Sequence, residues 1–344
     1  MNAVDDVRDL LGGLDPARDG RPGDEESRAR ELTRILATDR TVGNGRRRIP
    51  RRRLLLMAGA AVLAVAAGGV AIEAAREPRS AWAATPAILT FGPPASDERA
   101  DARLRHLAEV AAGQPAPDRP AGTVEHLESA NWFLNSSISG GRTTSGVVPQ
   151  QWRSWRTDDD AGRMIKKELP PTFRSEADRR EWQRRGGRVG SSREVTDYPA
   201  GQFHSGWSGA VPTDPTALRA WFTTGMTVDV APVQYLEYVA ELAGVRLLSP
   251  AQRAAALRLL ASLPGITVSG TVTDRAGRAG EAFSITSDAH GLPAQYTVIV
   301  DARSGSLLGY EEVLTTTAGM LNVTIPAVIS YRSYLVAEYA VMPR

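Results

Sequence analysis

Residues 54–72, LLLMAGAAVLAVAAGGVAI, contain no charged or polar side chain, and this run constrains the chain more than any other feature. A core helix of a soluble domain keeps a polar face, and this segment has none. At about 1.5 Å per residue a helix of this length reaches roughly 28 Å, close to the ~30 Å of a bilayer's hydrocarbon core. The run therefore predicts a transmembrane helix. Six arginines, Arg46, Arg47, Arg48, Arg51, Arg52 and Arg53, abut its N-terminal end. On the other side Glu73, Arg76, Glu77 and Arg79 cancel. The positive-inside rule then puts residues 1–53 in the cytoplasm and residues 73–344 outside.

A cleaved export signal is the competing reading. Arg51-Arg52-Arg53-Leu54-Leu55 looks like a twin-arginine signal, and Ala81-Trp82-Ala83 fits an A-x-A cleavage site. Against it, 53 residues are long for an n-region, and the 19-residue run exceeds an h-region of about 7–15. Retention as an anchor is the preferred reading, and either way residues 84–344 lie outside the cytoplasm. Ala60, Ala64 and Gly68 share one helical face, a spacing that lets two helices approach closely. Ten of the 19 residues are Ala or Gly, so composition alone accounts for that spacing.

Residues 1–53 hold 13 Arg against 10 acidic residues, whereas residues 73–344 hold 28 Lys and Arg against 29 Asp and Glu. The sequence pI near 9.0 thus describes the tail, and charge gives no support for nucleic-acid binding by the large domain. The absence of cysteine excludes disulfides, thiolate metal sites and thiol nucleophiles. With 42% apolar residues, the rest of the chain can bury a core.

The chain divides into a tail (1–53), the apolar run (54–72), a linker (73–98) and an extracytoplasmic domain (99–344). In the tail, residues 4–14 and 24–38 read as short amphipathic helices with too little apolar material for a core of their own. Pro78, Pro86, Pro93 and Pro94 mark the linker as a poorly ordered tether. Residues 98–112 read as an amphipathic helix. Residues 124–134, 147–156 and 163–169 then read as strands. Residues 175–185 fit a polar helix, and residues 186–209 a Gly/Ser-rich loop. Asp214-Pro215 and Ser249-Pro250 each open a helix as N-cap and first turn, with another helix over residues 233–243 between them. Five strands follow: 266–274, 282–286, 295–301, 307–314 and 328–338. Short turns between consecutive strands imply antiparallel pairing. The expectation is an α+β domain, a curved antiparallel sheet of seven or eight strands (an open half-barrel) packed against helices.

Three stretches carry turn and packing residues together: Leu260-x-x-Leu263-Pro264-Gly265-Ile266-x-Val268, Asp274-x-x-Gly277-Arg278-x-Gly280, and Asp301-x-x-x-Gly305-x-Leu307-Leu308-Gly309. With the arginine cluster, the single anchor and the tryptophan-bearing early strands, the chain resembles an uncharacterised actinobacterial family of single-pass membrane proteins. That family resembles anti-sigma factors in layout. Its outer domain resembles the half-barrels of lipoprotein carriers and of sensors that control anti-sigma factors. The resemblance implies a regulatory membrane protein whose tail captures a cytoplasmic partner such as a sigma factor. Residues 1–53 hold neither His nor Cys, which excludes the zinc-binding type of anti-sigma tail.

Signals for catalysis are weak. His106, His126, His204 and His290 are far apart in sequence and form no metal-binding pair. His106 and His126 read as surface residues. Asp158-Asp159-Asp160 before Gly162 lacks the remaining ligands of a calcium loop and reads as a solvated turn. Gly206-Trp207-Ser208-Gly209-Ala210 is one residue from a nucleophile elbow but sits in a loop, so a hydrolase built on Ser208 is the weakest reading. The sequence assigns no catalytic residue, cofactor or metal. Phe133, Trp152 and Trp155 are the candidates for an apolar ligand cleft between sheet and helices, although core packing is the default role of such side chains. Three functions survive: a membrane-anchored extracytoplasmic sensor or regulator, a carrier of lipid or another apolar ligand, and, weakest, a hydrolase.

Overall fold

The structure, a computed structural model, describes residues 81–139, 142–203, 207 and 209–343. The tail, the six arginines and the apolar run at 54–72 lie outside the described residues, as do His204 and Ser208. Among the described residues no helix is long and apolar enough to cross a membrane.

The described chain opens with helix α1 (Ala100–Ala112), then strands β1 (Val124–Ser139), β2 (Arg142–Arg156) and β3 (Gly162–Glu168). Helix α2 (Glu176–Arg184) and strand β4 (Ser192–Tyr198) follow. Next come α3 (Pro215–Phe222), α4 (Pro232–Val245) and α5 (Pro250–Ala261). The meander β5 (Thr267–Thr273), β6 (Ala279–Ser287), β7 (Ala294–Val300), β8 (Leu307–Leu314) and β9 (Ala327–Ala340) completes it. All nine strands form one open sheet in the order β4-β3-β2-β1-β9-β8-β7-β6-β5. Every pairing is antiparallel. The domain is α+β, as expected, with β1 closed against β9 so that the two strand groups make a single sheet.

The ninth strand is β4, which lies within the stretch whose Gly and Ser content predicts a loop. It is an edge strand whose side chains are mostly exposed, so SREVTDY carries no buried face and little apolar periodicity. Its register with β3, Met164 opposite Thr196 and Lys166 opposite Glu194, is set by the backbone ladder.

The helix starts follow from capping chemistry. Asp214 accepts from the Ala217 N–H at 2.8 Å with Pro215 in the first turn. At α5, Ser249 Oγ accepts from the Gln252 N–H while Gln252 Oε1 accepts from the Ser249 N–H, satisfying two end donors reciprocally. Ser175 caps α2 in the same way, accepting from the Asp178 N–H.

The main core lies between the helices and one face of the sheet. Leu104 and Leu107 of α1, Leu236 and Leu242 of α4, and Leu257 and Leu260 of α5 are fully buried with Phe283, Tyr296 and Val298 of the meander. Trp207 sits among Trp221, Phe222 and Tyr238 with ring centroids 5.0–5.8 Å apart. A smaller cluster, Val272, Ala282, Ile299 and Leu308, occupies the opposite face.

The smaller cluster is covered by the described part of the segment whose prolines predict a linker. Residues 81–93 run as a strap from β2 to β5. Ser145 N–H donates to Ala81 O at 3.0 Å, and Ala83 N–H donates to Asn322 O at 3.0 Å. Leu89 and Phe91 pack on the smaller cluster. Gly92 N–H then donates to Thr271 O at 2.8 Å, and Thr271 N–H donates back to Pro93 O at 3.2 Å. The prolines that signalled a tether suit a segment that pairs through only a few of its amides. Gly270, at the β5 bulge, has φ 125° and lies so close to the strap that a Cβ there would stand 2.0 Å from Gly92 O. Gly270→Ala is expected to cost about 2 kcal/mol from backbone strain and the lost approach. Hydrogen exchange should show faster exchange at the Gly92 and Thr271 amides than in the unsubstituted chain. Unchanged protection there would refute the strap's dependence on this glycine.

Candidate functional site

Strand alternation decides which side chains meet. Register pairs Ser129 with Trp152, Asn131 with Gln150 and Phe133 with Val148 across β1 and β2. Trp152 in turn faces Lys166, and Asn131 faces Arg332. These side chains share the helix-side face of the sheet. Phe133 and Trp152, both singled out in the sequence, come together with ring centroids 5.8 Å apart. Trp155 does not join them. An odd separation of three residues turns it to the opposite face, where it stacks on His126 at 4.5 Å.

The stacking corrects the reading of His126 as a surface residue. It is buried, with Nδ1 3.2 Å from Ser154 O and Nε2 3.2 Å from Glu128 Oε1. His106, in contrast, is exposed on α1. The three carboxylates of the Asp158–Asp160 turn all have partners: Asp158 pairs with Arg119, Asp159 accepts from Thr157 and Asp160 pairs with Arg156. Among the described residues no group of three or more His, Asp or Glu side chains could hold a metal ion.

Trp152 is the hub of a cavity of about 700 Å³. The indole N–H donates to Gln150 Oε1 at 2.7 Å. Lys166 Nζ lies 4.9 Å, and the Arg332 guanidinium carbon 5.3 Å, from the ring centroid. Both are cation–π contacts that fix the indole's orientation. Arg332 is held in turn by Asn131 Oδ1 at 3.0 Å. The cavity walls combine an apolar side of Phe133, Leu134, Leu321 and Ile329 with a charged side of Lys166, Glu168, Arg188, Arg193, Glu194 and Glu312. Gln150 Nε2 and Ser192 Oγ both donate to Glu168, which leaves that carboxylate committed. Lys166, Arg188 and Arg193 make no ion pair among the described residues, and neither does Glu194, which stands opposite Lys166, so the cavity offers three basic side chains interspersed with carboxylates.

Behind this cavity, where α4 crosses β7–β9, lies a buried polar cluster that the sequence did not signal. Gly244 lets α4 approach, since a Cβ there would stand 2.6 Å from Arg332 Nη1. Glu237 of α4 and Glu312 of β8 are both buried. His290 Nε2 pairs with Glu237 Oε2 at 2.8 Å, and Tyr310 Oη donates to Glu237 Oε1 at 3.4 Å. Glu312 lines the large cavity, and Tyr296 Oη faces it without a hydrogen bond of regular geometry. Burial first, and the Glu237 charge second, push the Glu312 carboxyl up to about 7. The hydrogen bond to Glu237 raises the His290 imidazole against the opposing effect of burial. The cluster therefore sets the hydrogen-bonded Glu237–His290 pair beside a carboxyl poised near neutral pH to gain or lose a proton.

Sequence reasoning missed this cluster because its members lie on three elements more than fifty positions from Glu237. Only the β7–β8 register, which sets Tyr296 opposite Glu312, brings them together. No protein-family model matches the chain, and no curated protein matches it.

Proposed function

We propose that the described domain is an extracytoplasmic binding module that takes an amphipathic ligand with an apolar body and an anionic group, and that it is anchored to the membrane through residues 54–72. One observation carries this reading: a cavity of about 700 Å³ with apolar side chains at Phe133, Leu134, Leu321 and Ile329 and three basic side chains, Lys166, Arg188 and Arg193, set among Glu168 and Glu194. Ligand pockets of this size, apolar with a few placed polar groups, are the usual form of small-molecule sites. Half-barrels open on their helix-covered face supply such a pocket, which accords with the resemblance to carrier and sensor domains.

A sensor and a carrier differ in what the tail does. In the regulatory reading, ligand occupancy outside is coupled to capture of a cytoplasmic partner, such as a sigma factor, by residues 1–53. Fold likeness supplies no warrant for a particular chemistry, so binding rather than turnover is proposed here.

Organic extraction of the purified full chain followed by mass spectrometry is expected to release an amphipathic anion in near-stoichiometric amount. Trp152→Ala removes the indole and frees Gln150, Lys166 and Arg332 from their shared partner. It should lower the retained ligand by about ten-fold, the effect of losing roughly 1.4 kcal/mol. A chain that yields no ligand and gains no thermal stability from anionic amphiphiles would refute the binding reading.

A further inference from the structure

We infer that α2 and its flanking loops dock on an anionic bilayer surface and so turn the cavity toward the membrane. This inference rests on the proposed anchor at residues 54–72. The apolar run ends at Ile72, and the described domain begins at Ala81. Nine residues of chain reach at most about 32 Å even when fully extended. Ala81 therefore lies near the bilayer when the run is inserted.

The structure fixes which surface Ala81 belongs to. Its carbonyl accepts from Ser145 and Asn322, and the neighbouring Trp82 N–H donates to Asp178 Oδ1 of α2 at 2.9 Å. Arg174, just before α2, lies 5.2 Å from the centroid of the Trp82 ring. The end of the sheet nearest the anchor is thus the α2 end.

Charge complements this placement. Residues 170–193 contain seven arginines against three acidic residues, while the rest of residues 73–344 carries 21 basic against 26 acidic side chains. Arg174, Arg179, Arg180, Arg184, Arg188 and Arg193 are exposed. Exposed Trp82 and Met320 add apolar side chains near Asn322 at the same end. A basic surface held within reach of a bilayer by its own tether experiences a high local concentration of anionic headgroups. Arg188 and Gly186 follow α2 and line the cavity, so docking sets the cavity against the headgroups and lets a lipid-like ligand pass without crossing water.

The chain's lack of cysteine makes a single introduced thiol a unique label. Gln183→Cys reports on the exposed side of α2, and Arg303→Cys, in the β7–β8 turn at the other end of the sheet, is the control. The full chain carrying a fluorophore at either position is reconstituted into phosphatidylcholine vesicles with or without phosphatidylglycerol, each with headgroup-quencher lipid. Quenching at Gln183→Cys should exceed that at Arg303→Cys by at least about two-fold in the anionic vesicles, and raised salt should abolish the difference. The paired substitutions Arg179→Glu and Arg180→Glu, which touch no cavity residue, should erase it while leaving ligand retention intact. Equal quenching at the two sites in a chain that floats with the vesicles overturns the docking alone. A chain that does not float with either vesicle overturns the anchor, and the docking with it.

Discussion

Replacing Arg278 by alanine is expected to destabilise the domain by about 2–3 kcal/mol, below the range of about 3–5 kcal/mol for a fully buried pair because the guanidinium is 34% exposed. Its partner Asp274 is buried and accepts from the Ala276 and Arg278 amides at 3.0 and 2.7 Å and from Arg278 Nε at 2.9 Å. The same guanidinium donates to Tyr334 O at 2.6 Å and to Leu308 O at 2.8 Å. One side chain in the β5–β6 turn therefore holds β8 and β9. Truncation leaves Asp274 Oδ2 and two strand carbonyls without this donor, while Oδ1 keeps its two backbone amides, and leaving buried acceptors unpaired costs more than the net worth of the bonds. Denaturant unfolding of the solubilised full chain should show a lower midpoint at constant slope. Arg278→Lys keeps the charge but not the fork, and should recover only part of the loss. Arg303→Ala, which removes an almost fully exposed partner of Asp301, should change little. A midpoint unmoved by Arg278→Ala would show that β8 and β9 hold their position by ladder pairing alone.

Asp274 and Arg278 also show how far the sequence could be read. The spacing Asp-x-x-Gly-Arg announced a tight turn, and Gly277 with φ 81° closes it. Nothing in that spacing tells that the arginine reaches two other strands, because sequence periodicity reports an element's own faces and not its distant neighbours. The same limit explains the cavity. Phe133 and Trp152 were legible as aromatics on adjacent strands, and their pairing follows once register is fixed. Trp155 shared the signal and not the face. The strap was hidden for a different reason: its prolines suppress the alternation that marks a paired strand, yet four backbone hydrogen bonds lay it down. Helix starts were the most legible features, since Asp214-Pro215 and Ser249-Pro250 are local chemistry needing no tertiary partner.

Glu312 should make the domain less stable as pH rises from about 5 to about 8, and Glu312→Gln should remove most of that loss. The sign follows from the direction of the shift. In the unfolded chain the carboxyl loses its proton near its ordinary value, whereas in the fold it keeps the proton up to about 7. Between those values the folded state binds more protons than the unfolded state, so stability falls with rising pH and levels off above the folded value. A shift from 4.5 to about 7 corresponds to roughly 3 kcal/mol, at about 1.4 kcal/mol per pH unit. His290 acts in the same direction. Its pKa is raised by Glu237, so its contribution is complete below its ordinary value and is lost as pH rises through the folded one. Its first cause, the hydrogen bond to Glu237, persists in Glu312→Gln, whereas the smaller part that comes from the Glu312 charge is lost with it. The variant should thus match the parent near pH 5 and exceed it by about 2–3 kcal/mol near pH 8. A gain of equal size at both pH values would mean that Glu312 is ionised throughout and that the substitution acts through packing. The same proton bears on the proposed ligand. Glu312 lines the same cavity as Lys166, Arg188 and Arg193, and its ionisation adds a negative charge there. Retention of an anionic amphiphile by the parent should therefore weaken above pH ~7, and retention by Glu312→Gln should not.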